Sequence, residues 1–177
     1  GTLDVGLAAD ISTVPYGSLV QVLREEEVFL AISMFHPYAL THPSGTPITA
    51  EEVKANFAGD NLLLSKKGAS LRMIGDQFFD SCDFEPVAVC ETNNISATRS
   101  MVAQNAGVAF ISESCSVNRN DIAYYPLSPA MKRLNLVVRQ KNWVLNEPEQ
   151  AFMDQILNYF KQNTEHPYLA EKYSISF

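Results

Sequence analysis

The segment Glu91–Ser112, ETNNISATRSMVAQNAGVAFIS, constrains the fold more than any other part of the chain. A strand runs into the polar cluster Thr92-Asn93-Asn94, residue types whose side-chain oxygens cap helices, so a helix starts there. Its apolar stripe is Ile95, Met101, Val102 and Ala106, and it stops at Asn105-Ala106-Gly107. A short apolar strand, Val108–Ile111, follows at once. A strand that feeds a helix N-terminus presents backbone N–H groups and the positive end of the helix dipole. That suits a carboxylate, a phosphate or a polar small molecule. Strand–helix–strand units occur throughout α/β folds, so the rest of the chain must say which fold this is.

The remaining segments supply further elements. Leu3–Leu7 reads as a short apolar strand of the kind found in the middle of a sheet, yet nothing precedes it to pair with. On that ground the chain reads as a fragment of a longer protein. Ser18–Leu23 and Val28–Met34 read as two strands joined by a turn at Arg24-Glu25-Glu26-Glu27. His36-Pro37, His42-Pro43 and Gly45-Thr46-Pro47 make a proline-rich loop. Thr49 and Glu52 then have the spacing of a capping box. Asn61–Ser65 is a buried strand, and a helix follows with Leu71, Ile74, Phe78 and Phe79 three or four apart. Val87–Cys90, Ile122–Tyr125 and Leu134–Arg139 are strands. Glu147–Gln162 is an amphipathic helix with Phe152, Ile156, Leu157 and Phe160 on its apolar side. The tail from His166 to Phe177 carries a helical turn and an aromatic end.

The order of these elements predicts two lobes. Residues 61–122, built on two βα units, form the second. Residues 1–60 with 123–177 form the first. The chain then crosses twice, near 59–62 and 121–126, which makes a hinge beside a ligand-binding cleft.

Composition bounds the function. At 177 residues the chain buries about 70% of its unfolded surface. A formal net charge of −7 argues against this piece holding nucleic acid, which needs lysine and arginine gathered on one face. No apolar run reaches a membrane span, and the first residues are no signal peptide. Three cysteines (Cys82, Cys90 and Cys115) without CxxC spacing predict packed thiols and a reducing, cytoplasmic location. His36, His42 and His166 each neighbour a proline and lack metal-ligand spacing, so no metal and no other cofactor is expected. No nucleophile motif such as GxSxG is present, so no catalytic residue is assigned.

Four segments, in order, carry a resemblance that covers nearly the whole chain. They are LDVGL (3–7), EVFLAISMFHPYA (27–39), LLLSKKGASLRMIGDQFFDSCDFEPVAVCETNN (62–94) and KRLNLVVRQKNWVLNEPEQAFMDQIL (132–157). Together they resemble the effector-binding domain of LysR-type transcriptional regulators. The resemblance implies an α/β, two-lobed fold like that of type 2 periplasmic binding proteins, with the first lobe incomplete. It implies a small polar or anionic metabolite between the lobes and a homo-oligomer whose geometry that ligand alters. DNA would be bound only through a helix-turn-helix domain absent from this chain. The candidate ligand residues are Ser65, Lys66, Lys67 and Gly68 at one strand end, Thr92, Asn93 and Asn94 at the next, and Ser112.

Departures from the family pattern also matter. The first glycine of its Gly-x-Gly is Asn105 here, the non-glycine type most tolerant of positive φ. Ser112 stands where the pattern has proline, placing a hydroxyl toward the cleft. The position of the reactive cysteine in the peroxide-sensing branch is Ser70, which disfavours thiol sensing. Arg72 and Arg99 read as salt-bridge partners rather than ligands. The portion of the first lobe before Leu3 is missing relative to the family, which predicts self-association through the lobe containing Leu3–Met34 and Leu134–Arg139. Two other functions share this fold: a transport-type solute-binding protein, and an enzyme acting on a small carboxylate, such as a dehydratase of amino-acid biosynthesis. The sequence upstream of Gly1 separates the three.

Overall fold

The computed structural model describes residues 5–9, 17–116, 120–142, 144–162 and 174–176. Its elements, in chain order, are β1 (Val5–Ala8), β2 (Ser18–Ser33), α1 (Pro37–Thr41), β3 (Ile48–Thr49), α2 (Ala50–Phe57), β4 (Leu62–Leu64), α3 (Ser70–Asp80), β5 (Ala88–Glu91), α4 (Ile95–Ala103), β6 (Val108–Ser112), β7 (Ile122–Ser128), β8 (Lys132–Gln140), α5 (Glu147–Gln162) and β9 (Ser174–Ser176). A 3-10 turn, Glu113–Cys115, follows β6. No helix among the described residues is long and apolar enough to cross a membrane.

The chain divides into two compact units, 1–26 with 133–177, and 27–132. This differs from the expected lobes, because residues 27–60 and 123–132 belong with 61–122. The reason is a shared core. Leu30, Tyr38, Ile48, Val53 and Phe57 pack in one cluster with Leu62, Phe78, Phe110 and Tyr125. Spacing along the chain cannot reveal an aromatic cluster assembled from such distant segments.

In the second unit the strand order is β3-β7-β2-β6-β4-β5. β2 runs antiparallel to both β6 and β7. β4 runs parallel to β5 and β6, the arrangement that βα units produce. Alternate residues face opposite sides. Val108 and Phe110 join Ile74, Phe78, Val53 and Phe57 on the face covered by α2 and α3. Ala109 and Ile111 join Val102 and Ala103 on the face covered by α4. β4 and β6 are buried on both sides, which explains their continuous apolar runs.

The first unit holds β1, β8 and the N-terminal part of β2, in that order, with β9 pairing antiparallel on β2. Val20, Val22 and Leu136 form one core cluster; Leu23, Val137 and Met153 form another. Three expectations are corrected here. The charged run Arg24–Glu27 is not a turn, because β2 is a single 16-residue strand. Glu26 lies inside that strand, its carboxylate accepting hydrogen bonds from Arg133 and Asn135 of β8. β1 is not central: it ends the strand order, pairs with β8, and leaves Leu7 63% exposed. On α5 the buried residue is Met153, with Ile156, Leu157 and Phe160 packed against its cluster, while Phe152 is exposed. Met153, Ile156, Leu157 and Phe160 centre the apolar face, and Phe152 lies at its edge. Residues 163–173 and 177, where a tail turn was expected, lie outside the described set.

Candidate functional site

The parallel strands β6, β4 and β5 end on the same side of their sheet, and ligands of open α/β sheets bind beyond such carboxyl ends. The candidate residues lie on the loops there, all within the second unit. Ser65–Gly68 follow β4, Thr92–Asn94 follow β5, and Ser112 ends β6. Gly68 takes φ +86°, where a side chain would be strained, so the loop can turn into α3.

Hydrogen bonds hold the first two loops together. The backbone N–H of Lys66 donates to Asn93 Oδ1 at 3.0 Å, and that of Thr92 donates to the Leu64 carbonyl at 3.0 Å. Arg72, on the first turns of α3, ties the same region from beneath. Its Nη1 donates to Glu91 Oε1 at 2.6 Å and to the Ser65 carbonyl at 3.3 Å, while Nε donates to Asp76 at 2.8 Å. The hydrogen bond to Glu91, followed by that to Asp76, raises the pKa of the guanidinium above its ordinary value. Arg72 is thus an ion-pair residue, as its spacing with Asp76 suggests. Its grip on the Ser65 carbonyl was not visible from spacing.

The cluster Thr92-Asn93-Asn94 is committed inward through its oxygens. Asn94 is the N-cap of α4, its Oδ1 accepting from Ala97 N at 3.1 Å. Thr92 Oγ1 accepts from Asn94 N at 3.1 Å, and Asn93 Oδ1 takes Lys66 N. Several backbone donors expected to be open at these helix starts are therefore already satisfied. What remains for a ligand is the donor half of each side chain: the Thr92 hydroxyl proton and the amide nitrogens of Asn93 and Asn94. α3 adds a start with no side-chain cap, its N-cap being Ala69, and Lys66 and Lys67 are exposed beside it. Donors and ammonium groups of this kind can pair with an acceptor or anion.

Ser112 stands apart from this exposed group. It is buried, 1% exposed, and its Oγ has no hydrogen-bond partner among the described residues. Arg99 differs from expectation: its Nη1 donates to the Cys115 carbonyl at 3.0 Å rather than to a carboxylate, and Nε is buried without a partner. Cys82, Cys90 and Cys115 are free and half-buried, and Ser70 is buried at the start of α3.

The helix end that returns the chain to β6 follows the sequence reading. Asn105 takes φ +56°, with Asn105 N donating to Val102 O at 2.9 Å and Ala106 N to Met101 O at 2.9 Å. These are the paired bonds of a Schellman motif, with asparagine in glycine's place.

The family model for the LysR substrate binding domain matches residues 1–161. A relative from Bacillus subtilis (strain 168), the uncharacterized HTH-type transcriptional regulator YybE, is 26% identical over 164 residues, covering 92% of this chain and 53% of its own. The chain thus spans about half the length of that relative. Among solved structures, the Synechocystis PCC6803 CcmR regulatory domain in complex with 2-PG is similar at a TM-score of 0.71 and 17% identity, covering 90% of this chain and 74% of its own. The effector-binding domain of QuiR in complex with shikimate gives 0.71 and 18%, covering 90% and 73%. The reduced OxyR regulatory domain from Pseudomonas aeruginosa gives 0.66 and 19%, covering 90% and 73%. At these identities the structures establish the periplasmic-binding-protein-like fold, and with the match over residues 1–161 the chain belongs to the LysR substrate-binding domain family.

Proposed function

We propose that this domain senses a small anionic metabolite for a LysR-type transcription regulator, and captures it on the loops after β4 and β5. The observation that carries the reading is the polarity of those loops. Their side-chain oxygens are spent on backbone N–H groups, while the Thr92 hydroxyl, the Asn93 and Asn94 amides, Lys66 and Lys67 are left to donate. The relatives in complex with 2-PG and shikimate support a ligand of this class. No bond is made or broken. The ligand acts by binding one arrangement of the full-length regulator more tightly than another, so occupancy shifts the population and with it the oligomer's geometry on DNA. DNA contact itself belongs to a helix-turn-helix domain outside this chain.

The test is a thermal-shift screen of small carboxylates and phosphate esters, with shikimate and 2-PG included. It compares the chain with a double variant, Thr92→Val with Asn94→Asp. Aspartate keeps the capping oxygen of α4 and replaces the amide donor by a negative acceptor, so the fold survives while the site turns hostile to anions. Ligand-induced stabilisation should fall by about 1–3 kcal/mol, the worth of hydrogen bonds to a charged group. A ligand that stabilises both proteins equally places the site elsewhere.

A further inference from the structure

A cavity of about 530 Å3 lies in the second unit, lined by α1, its His36-Pro37 start, and the C-terminal end of α2 with Gly59 and Asp60. It shares no residue with the candidate effector site, and its size suits a small organic molecule.

Hydrogen bonds fix the protons of its two histidines. Tyr38 N donates to His36 Nδ1 at 3.2 Å, so that nitrogen is a lone-pair acceptor. The proton of neutral His36 is therefore on Nε2, which faces Asp60 Oδ2 at 3.3 Å. His42 is the reverse. Its Nδ1 lies 3.1 Å from the Tyr38 carbonyl, which only accepts, a contact that favours the tautomer with the proton on Nδ1. Thr41 Oγ1, 2.9 Å away, is compatible with that assignment. Nε2 of neutral His42 is then an open acceptor. The Asn56 amide nitrogen donates to the Glu52 carbonyl at 2.8 Å, leaving its oxygen uncommitted by that bond.

The acceptors left to meet a ligand are the Asp60 carboxylate (one oxygen of which also faces His36), His42 Nε2 and the Asn56 oxygen; the Tyr38 hydroxyl can donate as well as accept. Among the described residues, no lysine or arginine lines the cavity. On α2 itself, Lys54 is turned to the carbonyls of Cys82 and Asp83 at 2.8 and 3.1 Å. Negative charge is felt locally. Burial first, then Glu52, raises the Tyr38 phenol above its usual range. Tyr38 and His42 stack at 3.9 Å and 5°, giving a flat aromatic wall. Among the described residues no group of three or more His, Cys, Asp or Glu could hold a metal ion.

We propose that this cavity binds a primary organic ammonium, with Asp60 as its counter-ion, His42 Nε2 and Asn56 as hydrogen-bond acceptors, and the Tyr38–His42 stack against its carbon chain. An ammonium donates three N–H groups, matching the surplus of acceptors, and its charge is attracted both by the carboxylate and by an aromatic face.

The test titrates 1,4-diaminobutane into the 177-residue chain by calorimetry at mildly alkaline pH. Binding should saturate, and tetramethylammonium, which carries the charge without N–H donors, should bind more weakly. Asp60→Asn, isosteric and uncharged, should weaken the diamine at least about tenfold. His42→Phe keeps the ring stack but removes the acceptor and should also weaken it; it decides the matter where Asp60→Asn does not fold. Gln77→Ala, exposed on α3 and outside both sites, should change nothing. Absence of diamine binding at millimolar concentration, binding to both cavity variants as tight as to the wild type, or its loss in Gln77→Ala would each overturn the assignment.

Discussion

Gly107 shows how a single residue without a side chain holds the α4–β6 return. A Cβ there would sit 2.5 Å from the Asn61 carbonyl oxygen and 3.1 Å from Leu63 Cγ. That oxygen accepts the Val108 N–H at 2.9 Å, so it cannot move away without breaking the bond that starts β6 beside β4. Gly107→Ala should therefore destabilise the second unit by about 1–3 kcal/mol, the usual cost of overpacking against atoms that cannot yield. Gly59→Ala, where a Cβ meets nothing within 4 Å, is the matched control and should be near neutral. Urea unfolding of the two variants gives the comparison, and equal midpoints would mean that the Asn61 loop adapts. Residue chemistry of this kind was partly legible in the sequence. Asn105 was recognisable as a helix terminator because few other residues accept positive φ. The close approach at Gly107 was not, since it depends on where Asn61 lies in space.

At the scale of elements, helices and buried strands were legible wherever one period dominated. α5 spans the predicted residues 147–162, and the Thr49–Glu52 capping box closes at 2.8 and 3.2 Å. β2 was misread because REEE looks like solvent-exposed turn chemistry. It stays extended since Glu26, 1% exposed, finds Arg133 and Asn135 opposite it on β8. A buried carboxylate holding a guanidinium is a strong constraint on register, because removing either partner leaves the other desolvated and unpaired. Glu26→Ala should cost about 3–5 kcal/mol in the first unit, whereas Glu26→Gln, which keeps an acceptor oxygen, should cost less. Thermal unfolding of the two variants measures the difference. Equal losses would mean that side-chain volume, rather than the ion pair, is what β2 needs at this position.

For the whole molecule, self-association was expected through the lobe containing Leu3–Met34 and Leu134–Arg139, and the strand edges offer a competing contact in the second unit. β1 ends the strand order in the first unit and exposes Leu7; β5 ends it in the second. β5 is the more apolar edge, with Val89 59% exposed on the strand and Val87 79% exposed just before it. Neighbouring Glu91 is engaged with Arg72, so its charge is partly neutralised as a deterrent to pairing. An apolar edge strand with open backbone groups recruits a second strand or a matching surface. The β5 edge is thus a second candidate contact, to be tested against the expected one on the lobe containing Leu3–Met34 and Leu134–Arg139. Val89→Lys adds a charge to the edge while leaving the buried core intact, and for a contact at β5 sedimentation at high concentration should shift from dimer to monomer. Leu7→Lys should leave the dimer in place. The reverse result would return the interface to the first unit, at the β1 edge. A wild-type chain that sediments as a monomer at every concentration would remove self-association from this domain altogether.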